Sequence, residues 1–171
     1  MNTKQAAEKW NRQNPGRKPP WNSKIVSDYC NDGMVIDQEK INGKWFIPDD
    51  APEPLLGKWR AATLLERIVD IHEGADPIFI DPTHTIDQYD YISALGYCSK
   101  IDWHKHRAGY DSIDLRTILL TVTVTSDGKR IINEVNEERR IRSGKSTSES
   151  VKTKHLSFQK QKTESTSSFK G

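Results

Sequence analysis

His84, His104, His106, Cys30 and Cys98 are the side chains whose types first suggest chemistry. His104 and His106 stand in Asp102-Trp103-His104-Lys105-His106. On a strand, a His-x-His pair points both rings to one face, which suits a metal ion. No further ligand stands at a diagnostic spacing, so the stretch reads as a polar loop carrying two exposed imidazoles. Cys30 and Cys98 lie far apart and have no Cys or His neighbour at zinc-ligand spacing. They read as reduced, partly buried thiols that pack as small hydrophobes. Glycine-rich phosphate loops, nucleophile elbows and paired-carboxylate motifs are all missing from the sequence. The expectation is a protein that is not an enzyme and uses no metal and no cofactor.

Charge carries more information than these isolated groups. The chain has 171 residues, with 26 Lys/Arg against 24 Asp/Glu, a net of +2. That total is a cancellation. Met1 to Gly57 holds eight charges of each sign, Lys58 to Glu138 holds nine basic against fourteen acidic, and Arg139 to Gly171 holds nine basic against two acidic. The three zones are therefore neutral, −5 and +7. An acidic zone repels DNA and attracts a basic partner, whereas a basic one attracts phosphates. A mean hydropathy of −0.78 is low for one compact core. Part of the chain is therefore expected not to pack. No apolar run reaches the roughly 18 to 20 residues of a membrane span, and Met1 to Trp10 lacks the apolar centre of a secretory signal. The sequence reads as cytoplasmic, with no membrane partner.

The elements that must position any site follow from periodicity. Thr3 to Trp10 has a Thr N-cap candidate with Ala6, Ala7 and Trp10 at helical spacing, and Arg12 to Pro20, with three prolines, reads as a loop. Asn22 or Ser23 can cap a second helix carrying Ile25, Val26, Tyr29 and Cys30 on one stripe, stopped by Asn31-Asp32-Gly33. Asn42-Gly43 between Glu39-Lys40-Ile41 and Lys44-Trp45-Phe46-Ile47 predicts a hairpin with a type I′ turn. Asp49 to Pro54 breaks regular structure and marks a boundary. Beyond it, Leu55 to His72 is an amphipathic helix through Leu64, Leu65, Ile68 and Ile71. Pro77 to Ile80 reads as a short strand, Thr85 to Tyr97 as a helix, Leu115 to Val124 as a β-branched strand, Thr125 to Gly128 as a turn, and Lys129 to Ile141 as a helix. After Arg142 the chain is rich in Ser, Thr, Lys and Gln, with only Val151, Leu156, Phe158 and Phe169 apolar. It reads as a disordered basic tail, either an arm that engages phosphates or a solvated terminus.

Helix, loop, helix and hairpin within about fifty residues is the element order of a small winged helix-turn-helix. Thr3-Lys4-Gln5-Ala6-Ala7-Glu8-Lys9-Trp10, Val26 with Tyr29-Cys30-Asn31-Asp32-Gly33, Asn42-Gly43-Lys44-Trp45-Phe46-Ile47-Pro48-Asp49-Asp50-Ala51 and Pro54 resemble the small MerR-like, excisionase-type DNA-binding domains of phages and mobile elements. The resemblance spans residues 2 to 54. It implies that the second helix enters the major groove, with Asn22, Ser23, Lys24 and Ser27 on its groove-facing side. It also implies that the hairpin is a wing whose Lys40 and Lys44 contact phosphates. Lys24 stands where the family usually has Arg, and Met34 where it often has Arg. The stretch from Arg12 to Pro20 looks like an insertion that brings Arg17 and Lys18 with it, either as a phosphate clamp or as a longer turn. Leu120 to Ile132 is weakly similar to the strand-to-helix junction of winged-helix regulators.

These readings combine into one expectation: an α+β protein with a winged helix-turn-helix at 1–54, a small α+β dimerisation or effector domain at 55–142, and a disordered basic tail at 143–171. The expected function is sequence-specific binding of double-stranded DNA as a transcriptional regulator or excisionase-like factor. Such a small head calls for a homodimer or cooperative assembly to reach useful affinity. The alternative is a protein-interaction effector whose acidic 58–138 segment binds a host protein, such as a defence nuclease of the kind that anti-CRISPR proteins inhibit. In that case the helix-turn-helix would only autoregulate.

Overall fold

In the computed structural model, residues 1–75, 82–103, 107–108, 112–113 and 115–144 are described. The expected strand at 77–80, His104, His106 and the tail from 145 onward lie outside them. The architecture is α+β, mostly helical with two small antiparallel hairpins. Two compact units divide the chain, Met1–Val135 and Asn136–Gly171.

Helix α1 spans Thr3–Gln13 and helix α2 spans Ser23–Asn31. The N-cap of α1 is Asn2 rather than Thr3. Its side chain accepts from the Gln5 N–H, while the Gln5 side chain accepts from the Asn2 N–H, both at 2.9 Å. This reciprocal capping box satisfies two donors that the first turn would otherwise leave open. It also starts the helix one residue earlier than expected. At the other end Arg12 and Gln13 remain helical, so the loop begins at Asn14. Asn22 caps α2 through its side-chain oxygen, 2.9 Å from the Ile25 N–H. The helix stops where Gly33 takes a φ of +74°.

Strands β1 (Glu39–Ile41) and β2 (Lys44–Phe46) pair in the register Glu39↔Phe46, Lys40↔Trp45, Ile41↔Lys44. Asn42 and Gly43 have φ of 49° and 78°, the positive values that a type I′ turn demands. Ala6, Ala7, Trp10, Trp21, Val26, Cys30, Val35, Ile47 and Ala51 form one buried cluster under these elements.

A second cluster gathers the rest of Met1–Val135. Helix α3 (Lys58–His72) buries Ala61, Ala62, Leu64, Leu65, Ile68 and Ile71. Tyr89 and Ile92 come from α4 (Pro82–Ala94), Ile118 and Leu119 from α5 (Leu115–Leu119), and Ile131 and Val135 from α6 (Ser126–Arg142). A backbone hairpin, β3 (Arg107–Ala108) with β4 (Ser112–Ile113), was not expected from the sequence.

The expected strand from Leu115 to Val124 is corrected: its first half is α5. Ile118, Leu119 and Val122 are buried at helical spacing, and this tertiary pattern outweighs β-propensity. Alternation survives only from Thr121 to Val124 and ends in a single antiparallel bridge between Val124 and Cys98. His72 closes the same region. Its Nε2 lies 3.2 and 2.9 Å from the Leu119 and Val122 carbonyls, so this nitrogen carries the proton and donates to both.

The expected turn at Thr125–Gly128 is instead the start of α6. Thr125 is the cap, its hydroxyl accepting from the Gly128 N–H at 3.2 Å while donating to the Gly96 carbonyl at 2.8 Å. Gly128 is buried, and the position needs glycine because a Cβ there would collide with the Tyr97 carbonyl and press on Val124. Thr125 N–H also donates to that carbonyl, which fixes it in place. Gly128→Ala is therefore expected to cost about 2–3 kcal/mol in urea unfolding, since backbone and not a yielding side chain must move. A loss under 0.5 kcal/mol would show that α6 does not seat here.

Candidate nucleic-acid interface

The residues singled out for DNA contact fall into three groups with different local duties. In the first turn of α2, the Asn22 side-chain oxygen holds the cap, and the Ser23 hydroxyl shares a 2.7 Å hydrogen bond with the Thr3 hydroxyl. The Asn22 cap closes the first turn of α2, and the Ser23 hydroxyl ties that turn to the start of α1. Lys24 is different: its side chain is 86% exposed and its Nζ lies 3.0 Å from the Asp28 carboxylate, one turn on. Ser27 is half-buried on the same helix. An exposed i,i+4 pair contributes only about 0.3–0.5 kcal/mol, so an external anion can displace Asp28 from Lys24 at little cost.

On the hairpin, strand alternation sets Lys40 and Lys44 on opposite faces. Lys40 shares its face with Trp45, and its ammonium stands 4.9 Å from the centre of that ring. Lys44 shares the other face with Glu39, Ile41 and Phe46. Ile41 and Phe46 are 42% and 48% exposed, so Lys44 sits on an open apolar face. Both lysines are exposed, but one rigid surface cannot meet both along the same normal.

Arg17 and Lys18 part company in the loop between α1 and α2. The Arg17 guanidinium lies 3.9 Å over the Trp21 ring and 3.8 Å from Glu53. The Trp21 indole N–H donates to the same Glu53 oxygen at 2.7 Å. Arg17 is thus a brace between the loop and the Pro52–Pro54 segment, while Lys18 is exposed.

Trp21 was absent from the sequence-based core, although it organises this surface. It is 3% exposed and packs edge-on against Trp10 at 5.1 Å and Tyr29 at 5.0 Å between ring centres. The Asn11 side chain both accepts from the Trp21 N–H and donates to its carbonyl, each at 2.8 Å. Trp21 stands just before the Asn22 cap and shares the cluster with Val26. That N′ to N4 spacing is a hydrophobic staple, a signal present in the sequence. Asp28 was also overlooked as the acid that faces Lys24. Met34, in place of a family Arg, is fully buried in the second cluster, so a cation could not stand there.

The remaining chemical candidates do not assemble into a site. Among the described residues no group of three or more His, Cys, Asp or Glu is placed to hold a metal, and His104 and His106 lie outside those residues. Burial pushes the Cys30 and Cys98 thiols up to about 12. A thiol so far above neutral pH is not a nucleophile. Both cysteines are expected to resist a disulfide reagent at pH 8 in the folded protein and to react within seconds once urea unfolds it. Fast labelling of either in the native state would contradict their burial. Comparison with protein-family models, with curated proteins and with solved structures yields no match to this chain.

Proposed function

We propose that residues 1–54 form a winged helix-turn-helix head that binds double-stranded DNA in the manner of a phage or mobile-element regulator or excisionase-type factor. The observation that carries this reading is the presentation of α2. Its capped first turn is exposed, Lys24 extends from it into solvent, and a type I′ hairpin with exposed Lys40 and Lys44 follows on the same small core. A capped helix start offers N–H groups and a positive dipole end toward phosphate. Lys24, released from Asp28, can reach guanine O6/N7 or a phosphate. In this reading Lys18 and Lys44 add backbone contacts, and Arg17 acts by holding Trp21 and the loop rather than by touching DNA.

The zero net charge of Met1–Gly57 limits affinity, because phosphate neutralisation supplies much of it. Pairing of two heads on one DNA site, through a dimer or side by side, supplies what one head lacks. The acidic 58–138 zone favours a second reading, a protein effector with a basic host partner. Pull-down of a host protein by the full chain that persists in a Lys24→Ala/Lys44→Ala variant, with no DNA sequence selected by the parent, would establish that reading instead.

The direct test is selection of duplexes from a random pool by the full chain, followed by binding curves on the enriched motif. A shared motif is expected, and Lys24→Ala should weaken binding to it by about 1–3 kcal/mol while relaxing preference at one base pair. Asp28→Asn should strengthen binding by about three- to tenfold, since it removes an acid that competes for Lys24 and faces phosphate. Failure to enrich any motif at low salt, or no effect of either substitution on an enriched one, sinks the assignment.

A further inference from the structure

Arg139, Arg140 and Arg142 close helix α6, and the described residues of the second unit, 136–144, include no buried side chain. The last seven residues of this helix thus bury no side chain. Short-range polar contacts run along them. The Arg139 guanidinium donates to the Asn136 side chain at 2.9 Å, the Arg140 guanidinium pairs with Glu137 at 2.7 Å, and the Ser143 hydroxyl donates to the Arg140 carbonyl at 2.9 Å. Arginines also suit the negative end of the helix dipole.

At 100° per residue, Arg139 and Arg142 lie about 60° apart on one face, whereas Arg140 lies about 100° from Arg139 and about 160° from Arg142, so the three spread around the helix end. Three guanidiniums thus line the end of one helix. The sequence that continues from it is basic as well: 139–171 carries nine Lys/Arg against two acids, with no apolar periodicity.

We infer that the end of α6 is a second DNA contact, which binds the phosphate backbone of duplex DNA without reading its sequence. The choice of ligand rests on what the segment lacks and what it repeats. A helix that docks in a protein groove needs apolar anchors at i, i+3/i+4 and i+7. Between Asn136 and Gly144 the sole apolar side chain is Ile141, 67% exposed. A polyanion needs only closely spaced cations whose counterions it can shed. Exposed Arg–Glu pairs such as Arg140–Glu137 are weak enough to be exchanged for phosphate. The site is distinct from Lys24 and Lys44 and does not depend on the head's reading sequence. It provides the charge that the neutral head lacks.

The test uses the full chain with Arg139→Ala, Arg140→Ala and Arg142→Ala combined, and fluorescence anisotropy on an unrelated duplex across a salt series. Alanine is the better helix former and no buried side chain changes, so thermal unfolding should match the parent. Affinity is expected to fall roughly tenfold at low salt, and the slope of log K against log salt to shrink by about 2–3. The corresponding triple lysine variant should recover most of both. The alanine triple should shrink the slope by the same amount in a Lys24→Ala/Lys44→Ala background as in the parent, which separates this contact from the head. If no motif is enriched by the full chain yet the arginine effect holds, the head assignment fails and this inference stands. Unchanged affinity and slope in the alanine triple overturn it. So does failure of the lysine triple to rescue, or loss of binding to anionic phosphatidylserine vesicles with DNA binding intact.

Discussion

The stretch from Tyr29 to Val35 is the seam on which Met1–Val135 depends. Met34 turns into the cluster formed by α3 to α6, while its neighbour Val35 turns into the cluster under α1, α2 and the first hairpin. Tyr29 packs against both. Two hydroxyls then lock the turn from the far side: Tyr97 donates to the Gly33 carbonyl at 2.7 Å and Tyr91 to the Met34 carbonyl at 2.6 Å. Gly33 must be glycine, for it combines a positive φ with a Tyr97 hydroxyl where a Cβ would stand. Burial drives the pKa of both tyrosines up, so both remain donors throughout the physiological range. An acceptor stripped of such a buried donor costs about 1–3 kcal/mol. Losing either would loosen the link that fixes where α2 ends and where β1 begins.

That seam has a consequence for the surface it supports. The exposed turn of α2 is anchored at its start by Asn22, Ser23 and the Trp21 staple, and at its end by Gly33 and Met34. Under the proposed function, a helix held at both ends loses little entropy on docking, which favours affinity at a given contact area. The same rigidity fixes the hairpin, with Lys40 stacked on Trp45 and Lys44 turned to the opposite face. Geometry therefore assigns the cations unequal roles, although the sequence presents them as equivalent. Arg17 and Lys9 illustrate the point from the other side. Arg17 is consumed by Trp21 and Glu53, and the Lys9 ammonium donates to the Asp49 and Ala51 carbonyls at 2.7 and 3.0 Å. Two of the eight cations in the first 57 residues thus serve the fold.

Legibility tracked the range of the interaction. Local rules narrowed the α2 cap to Asn22 or Ser23 and sufficed for the Gly33 stop, the Asn42-Gly43 turn and the apolar face of α3, because each is decided within a few residues. The α1 cap and the Trp21 staple were equally local, written as Asn2 to Gln5 and Trp21 to Val26, but were passed over for Thr3 and for a proline-rich loop. The errors at Leu115–Val124 and Thr125–Gly128 are of another kind. β-Branched content favoured a strand and Asp-Gly favoured a turn, yet burial of Ile118, Leu119 and Val122, and the Tyr97 carbonyl against Gly128, come from partners twenty or more residues away. For the candidate surface, residue types alone put Ser23, Lys24 and Ser27 on α2 and Lys40 and Lys44 on the hairpin strands, where they lie. Which lysine is free to leave its partner, and which arginine is a brace, required coordinates.

Under the function proposed for residues 1–54 and for the end of α6, electrostatics gives the neutral and the basic segments complementary duties. A head rich in exposed cations would bind any duplex, and the gap between specific and non-specific affinity would narrow. Under the proposed function, a net charge of zero in Met1–Gly57, with Asp28 set against Lys24, makes head binding depend on contacts that only a matching groove can offer. Encounter and retention then need a separate source of charge, and the arginines ending α6 lie in a separate unit from the head. Dividing discrimination from attraction lets each be tuned by substitution without altering the other, and the two should respond differently to salt.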